Sequence, residues 1–214
     1  MLITLSPSKG QDFETPAPSK TYTKPEALKD SELLIRELRM IKQQDIQDLM
    51  SVSENIAKLS ADRYKSFKTP FTPKNAKQAI FAFKGDVYSG IDIEEYSDAD
   101  LEYAQKHLRI LSGLYGCLRP LDLIQPYRLE MKTKLHNVRG ENLYQFWGER
   151  ITDELNKALE KQEQQQQIIA HQSRLTSLGE MAAGIAHEIN VPLQHILFTA
   201  ESLEKKDNKV ILDT

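Results

Sequence analysis

The sequence predicts an α+β protein: a small buried sheet with surrounding helices, followed by one long C-terminal α-helix. Three observations point there. Compact apolar runs at Leu2–Leu5 and Ala79–Phe83 are bounded by turn residues and read as short buried strands. Helical spacing of apolar residues dominates from Pro25 to about residue 68. From about residue 160 to Lys205 a helix-forming run proceeds without a turn cluster.

In chain order, Ser6-Pro7 ends the first strand, and Ser8-Lys9-Gly10 follows as a loop. A lysine beside glycine after a strand is a phosphate-binding candidate, although the glycine spacing of a Walker motif is missing. Residues 11–25, rich in Pro, Thr and Ser, read as an extended surface loop. Pro25 suits a first helical position. Leu33, Leu34, Leu38 and Ile41 give one helix face, Ile46, Leu49 and Met50 a second, and Ile56, Leu59 and Tyr64 a third. Val87-Tyr88-Ser89-Gly90 reads as the passage from the second strand into a turn.

Charge then segregates. Asp86 to Glu102 holds seven acids and neither Lys nor Arg. Lys106 to Arg139 holds seven bases against two acids, a local excess of five positive charges in a chain whose net charge is −3. Any attraction to nucleic acid must therefore be local. Ser97 with Asp100 has the spacing of a helix-starting capping box. Within the basic part, Gly113-Leu114-Tyr115-Gly116 has the composition of a tight turn with exposed backbone N–H groups. Such a turn holds a nucleic-acid phosphate without reading sequence; it equally suits a structural turn among solvated bases.

Several of these stretches resemble the YaaA family. They are Leu5-Ser6-Pro7-Ser8-Lys9, Phe83-Lys84-Gly85-Asp86-Val87-Tyr88, Leu111 to Gly116, Leu118-Arg119-Pro120-Leu121-Asp122, Gln125 to Met131 and Leu143 to Gly148. The resemblance covers residues 1–159. It implies a cytoplasmic bacterial protein of the hydrogen-peroxide stress response, associated with limiting free iron, with a positively charged cleft, a helix-hairpin-helix element and DNA as partner. Carried onto this chain, the nucleic-acid-binding candidates are Lys9, Lys84, Arg109, Gly113, Gly116, Arg119, Arg128 and Lys132. No metal site is predicted, because His107 and His136 lack ligand spacing to each other or to acids. No cofactor is implied. The lone cysteine, Cys117, reads as a small buried apolar residue rather than a peroxide-sensing thiol. The start of the chain is too short and too little basic for a signal peptide, and no stretch reaches membrane-span length.

The C-terminal part reads differently. Residues 160–170 form a Gln-rich helical linker, residues 171–205 an amphipathic helix, and 206–214 a tail. Leu178, Ala182, Ile185 and Ile189 recur at helical spacing, and His187 points roughly opposite that seam. His187-Glu188-Ile189-Asn190 with Pro192-Leu193 resembles the H-box of sensor histidine kinases, the phosphoacceptor helix of their dimerisation domain; Val191 stands where many relatives carry Gln or Asn. The resemblance makes His187 the phosphoacceptor, with Glu188 as the base that holds one ring nitrogen while the other attacks phosphate. Pro192 is expected to kink or loosen the helix. The stretch from Glu188 to Thr214 is too short for a second dimerisation helix or an ATP-binding domain. Phosphate would then come from a partner histidine kinase and pass to a response regulator, and the apolar seam would pair two copies as a homodimer. A truncated fusion with neither activity fits the same residues.

Overall fold

The computed structural model describes residues 1–212, with side chains described through 199 apart from His195. It is a mixed α+β chain with a small sheet and a long C-terminal helix. Two compact units divide it, Met1–Gln162 and Glu163–Thr214.

The first unit starts with β1 (Ile3–Leu5) and β2 (Gly10–Gln11), then three helices, α1 (Leu28–Met40), α2 (Gln43–Met50) and α3 (Glu54–Ser66). Next come β3 (Lys77–Gln78), α4 (Ala79–Ala82), β4 (Phe83–Lys84), α5 (Asp86–Ser89) and α6 (Asp98–His107). The strands β5 (Leu108–Ser112), β6 (Gly116–Leu118) and β7 (Leu123–Ile124) follow, then α7 (Leu143–Trp147) and α8 (Arg150–Leu212). The sheet order is β1-β5-β6, parallel between β1 and β5 and antiparallel between β5 and β6. Two antiparallel ribbons, β2-β4 and β3-β7, and isolated bridges between Thr23 and Asp122 and between Asn137 and Gly140 add to the pairing among the described residues.

Helix faces are set by which residues meet the core. On α1 the buried stripe is Ser31, Leu34, Ile35 and Leu38, spaced by three, one and three, with Leu33 and Ile41 packed at its margin. On α2, Ile46 is the fully buried contact. On α3 the expected face is rotated: Ala57, Ser60, Ala61 and Tyr64 point inward and Leu59 is half exposed. Small residues there let α3 lie close to its neighbours. Pro25 is buried ahead of α1, whose first residue is Leu28, so it does not take the first helical position. The capping box on α6 forms as expected: Ser97 N donates to Asp100 Oδ2 at 3.0 Å, and Asp100 N to Ser97 Oγ at 3.3 Å.

Three local expectations change. Ala79–Phe83 is buried throughout, but it is not one strand: Ala79–Ala82 form a single helical turn between β3 and β4. Its first amides donate to Asp122 O and Pro120 O, at 2.9 Å each, which satisfies the turn's N-terminus. A short apolar run has no period to tell turn from strand. Val87 to Ser89 belongs to a second such turn, α5. The strand at Ile3–Leu5 is present, but Ile3 and Thr4 are exposed because β1 is the sheet's outer strand.

The fourth change concerns Gly113 to Gly116. This segment joins two strands, β5 and β6, not two helices, and it is buried. Ser112 Oγ accepts from the amides of Leu114 and Tyr115 at 3.2 and 3.0 Å, so these N–H groups face inward, already bonded. Gly116 has φ of +70°, the left-handed region where a side chain is disfavoured. A Cβ there would lie 2.8 Å from Cζ3 of Trp147, whose Nε1 donates to Gly113 O at 3.0 Å. The hairpin tip is thus packed under the single tryptophan of the chain.

The second unit holds the continuation of α8, and helical assignment runs through Pro192 without a break. Leu178, Ile185 and Ile189 are all more than half exposed there. No helix among the described residues is long and apolar enough to cross a membrane.

Gly116→Ala should lower the unfolding free energy by about 2–4 kcal/mol, summing the left-handed strain and the overpacking against Trp147. Urea unfolding followed by Trp147 fluorescence reads this directly; an unshifted midpoint would mean the ring does not sit on the hairpin tip.

Candidate functional site

The segment after β7 carries the basic charge. From Tyr127 to Glu130 it runs without a strand partner; a turn at Met131–Lys132 follows, closed by Thr133 N donating to Glu130 O at 2.9 Å, and side chains alternate on either side of that turn. Tyr127, Leu129, Thr133, Leu135 and Asn137 are buried, while Arg128, Glu130, Lys132, Lys134 and His136 face outward to differing degrees. The period of two within Tyr127–Glu130 and again from Thr133 to Asn137 is that of an extended backbone. Tyr64 Oη donates to Arg128 O, Gln11 Oε1 accepts from Tyr127 N at 3.1 Å, and Tyr127 Oη meets Ser112 Oγ at 2.7 Å. Gly113 lets this segment approach, since a Cβ there would lie 2.4 Å from Leu129 O.

This strip and the Ser8-Lys9 loop line a cleft of about 590 Å³. Three of the predicted cations meet in it around one carboxylate. Glu130 Oε1 is 3.1 Å from Lys9 Nζ and 3.9 Å from Arg128 Nη2, and its Oε2 is 3.4 Å from Lys132 Nζ. Partial burial pushes the Glu130 carboxyl up, but the bonds from Lys9 and Lys132 outweigh it and leave it below its ordinary value. An adjoining hollow of about 380 Å³ shares Arg128, Glu130 and Lys132 and adds Lys134, with Asp48 on its wall. Arg128 Nε is buried without a hydrogen-bond partner among the described residues. The arrangement can hold an anion such as a phosphodiester: exposed ammonium groups at the rim and a planar guanidinium deeper in.

The remaining candidates lie elsewhere. Gly113 lines the cleft through its backbone, whereas Gly116 is under Trp147. Arg119 is committed to structure: its guanidinium bonds Asp122 Oδ1 and Lys24 O at 2.9 Å each and lies 3.3 Å from Glu26 Oε1. Arg109 donates from Nη1 to the carbonyls of Gln105 and Leu108, at 2.9 and 2.7 Å, and lines neither the cleft nor its adjoining hollow. Lys84 lines a different hollow of about 370 Å³, 4.0 Å from Asp12 Oδ2. There the buried Lys77 ammonium, lowered by burial, donates to Asp12 O at 2.9 Å. Gln11 and Tyr144 were missed as cleft residues, and Lys134 as a residue of the adjoining hollow. The spacing of Lys132 and Lys134 two apart was the signal for Lys134; nothing local marks Gln11 or Tyr144.

Cys117 is buried, and burial together with the nearby Glu154 carboxyl pushes its thiol up to about 12. It stays protonated and poorly nucleophilic near neutral pH. Among the described residues no group of three or more His, Cys, Asp or Glu is arranged to hold a metal ion. His187 and Glu188 are both exposed on α8.

A family model described as "Peroxide stress protein YaaA" matches residues 1–177. The chain belongs to that family. The match extends past Leu159, where the motif resemblance was placed, and stops before Leu178 and the H-box-like residues. A UPF0246 protein of Aliivibrio fischeri strain MJ11 is 56% identical over 162 residues, 76% of this chain. A UPF0246 protein of A. fischeri strain ATCC 700601 / ES114 gives the same figures. The chain spans 62% of the length of these family relatives.

One titration near Cys117 can be tested. Burial first, then the Glu26 and Asp122 carboxylates, raise the Glu154 carboxyl to about 7. A raised folded-state value favours the neutral acid in the fold. Its contribution is fully present below about pH 4.5 and is lost as pH rises through about 7. Glu154→Gln should therefore melt at a higher temperature than the parent at pH 8 and match it near pH 4.5; parallel melting curves across that range would refute the assignment.

Proposed function

We propose that this protein serves the peroxide-stress response of its family in the cytoplasm by holding the phosphate backbone of DNA in the cleft around Lys9, Arg128, Lys132 and Lys134. The observation that carries this is the convergence of Lys9, from a separate loop, with the cations of the extended strip around one shared carboxylate. Across the cleft and the adjoining hollow, four cations (Lys9, Arg128, Lys132 and Lys134) face two carboxylates, Glu130 and Asp48, which leaves a local positive excess in a chain that is acidic as a whole. Phosphate contacts of this kind position DNA without reading sequence.

Binding should weaken steeply as salt rises, and Lys9→Ala or Lys132→Ala should each reduce the slope of log K against log salt by about one. Fluorescence anisotropy with a labelled duplex across a salt series measures both. Affinity indifferent to salt, or slopes unchanged in both variants, would reject DNA phosphate as the occupant.

A second reading belongs to the other unit. We infer that His187 accepts phosphate from a partner histidine kinase, aided by Glu188, on a helix paired with a second copy, and hands it to a response regulator. Its support is that His187 and Glu188 are exposed, that Leu178, Ile185 and Ile189 lie uncovered on the same helix, and that the family match ends before them. Incubation with a histidine kinase and labelled ATP should give acid-labile phosphate on the parent chain and none on His187→Gln. Label retained by the variant would remove this role.

A further inference from the structure

A surface that only holds phosphate needs cations, not an apolar interior. The cleft around Glu130 has such an interior. Besides its cations it is lined by Leu111, Met131, Tyr144, Trp147 and Ile151. Its volume of about 590 Å³ falls within the roughly 300–1,000 Å³ of sites that enclose small ligands. A duplex can lay its backbone across such an opening but cannot enter it, whereas one nucleotide can.

Tyr144 is the unusual residue of this lining. Its helix α7 is anchored in the core by the buried Leu143, Phe146 and Trp147, and it is capped by Asn142 Oδ1, which accepts from Gln145 N at 2.9 Å. Tyr144 is nevertheless 65% exposed, and its side chain has no hydrogen-bond or ring partner among the described residues. A firmly mounted aromatic face at an apolar cleft is a stacking platform for a planar base. Glu130 is the one carboxylate among the described residues that line the cleft. It repels a phosphate, but it can accept from a base amino group while it keeps Lys9 and Lys132.

Resting on the DNA reading above, we propose that the cleft receives a single nucleotide turned out of the duplex. Its base stacks on Tyr144 against the apolar lining, with Glu130 toward its amino edge. The phosphates on either side of it meet Lys9, Arg128 and Lys132. Turning a base out breaks stacking and pairing, and it costs least where the base has no pairing partner. The cleft therefore favours DNA that offers one unpaired base over the same duplex fully paired.

The test uses this chain as it stands and three labelled duplexes, read by fluorescence anisotropy at one salt concentration. One duplex is fully paired, one carries an extra unpaired deoxyadenosine, and one carries an abasic sugar in that place, so that the last two hold the same phosphates. The unpaired deoxyadenosine should bind about tenfold tighter than the other two. Tyr144→Ala changes an exposed position, should keep the parent circular dichroism, and should abolish that advantage; Tyr144→Phe, which keeps the ring, should retain it. Lys9→Ala should lower the salt slope on all three duplexes and leave their ratio unchanged. Equal binding of the deoxyadenosine and abasic duplexes, or an advantage that survives Tyr144→Ala, overturns the base pocket, and the DNA reading stands if the paired duplex still shows its salt slope. Failure to bind any of the three overturns both. Deoxyadenosine monophosphate that displaces the duplex at equal concentration overturns the proposal too and assigns the cleft to free nucleotides.

Discussion

The extended strip that follows β7 has no regular secondary structure, yet it runs through the packed part of the first unit. Buried peptide groups must find hydrogen bonds, and here side chains from distant segments supply them. Tyr115 Oη accepts from Gln125 N at 3.0 Å and donates to Gln125 O at 3.2 Å. The Gln125 amide pairs with the backbone of Lys68 in both directions, at 3.1 and 2.8 Å. Gln11, Tyr64 and Ser112 serve Tyr127 and Arg128. The aromatic rings that make these bonds also stack edge-on, Tyr115 on Tyr127 at 5.1 Å and Phe71 on Tyr115 at 6.2 Å. The same residues therefore fill the core and fix the strip's register.

That register decides the electrostatics of the cleft. With Tyr127 and Leu129 turned inward, Arg128 and Glu130 turn outward, the turn that follows leaves Lys132 exposed beside them, and Lys9 reaches Glu130 from across the cleft. Glu130 keeps the like charges at workable distances before any ligand arrives, yet as one carboxylate it cannot neutralise them. Arg109 and Arg119 show the opposite fate. They carry the same formal charge, but Arg109 Nη1 is held by two backbone carbonyls and the Arg119 guanidinium by Lys24 O and by Asp122, an acid with no exposed surface. Removing Asp122's partner would leave a buried carboxylate unpaired, which is among the costlier defects in a fold. A cation that satisfies a buried group is thereby withdrawn from ligand binding.

The two units differ in what stabilises them. In Met1–Gln162, aromatic and aliphatic side chains close a shared core. In Glu163–Thr214, the described part is one helix whose apolar side chains are exposed, so its helicity rests on residues of good propensity such as the Gln-rich run and the alanines. Peroxide-stress family identity belongs to the first unit and reaches a little into the second.

The sequence by itself determined much of the local structure: the three N-terminal helices, the capping box at Ser97, the strand at Ile3–Leu5, the helical run beyond about residue 160 and the family motifs. These follow from periodicity, side-chain chemistry within a few residues and long distinctive motifs, all of which are local properties. Tertiary structure alone decided the rest. Ala79–Phe83 became a turn because Asp122 and Pro120 offered acceptors for its amides. Gly113 and Gly116 became buried hairpin residues because Trp147 and Leu129 occupy the space beside them. Lys9, Arg128 and Lys132 are brought to one cleft while Arg109 and Arg119 are drawn into structural bonds, since burial and partnership depend on contacts between residues far apart in the chain, and charge counted along a sequence carries no record of them.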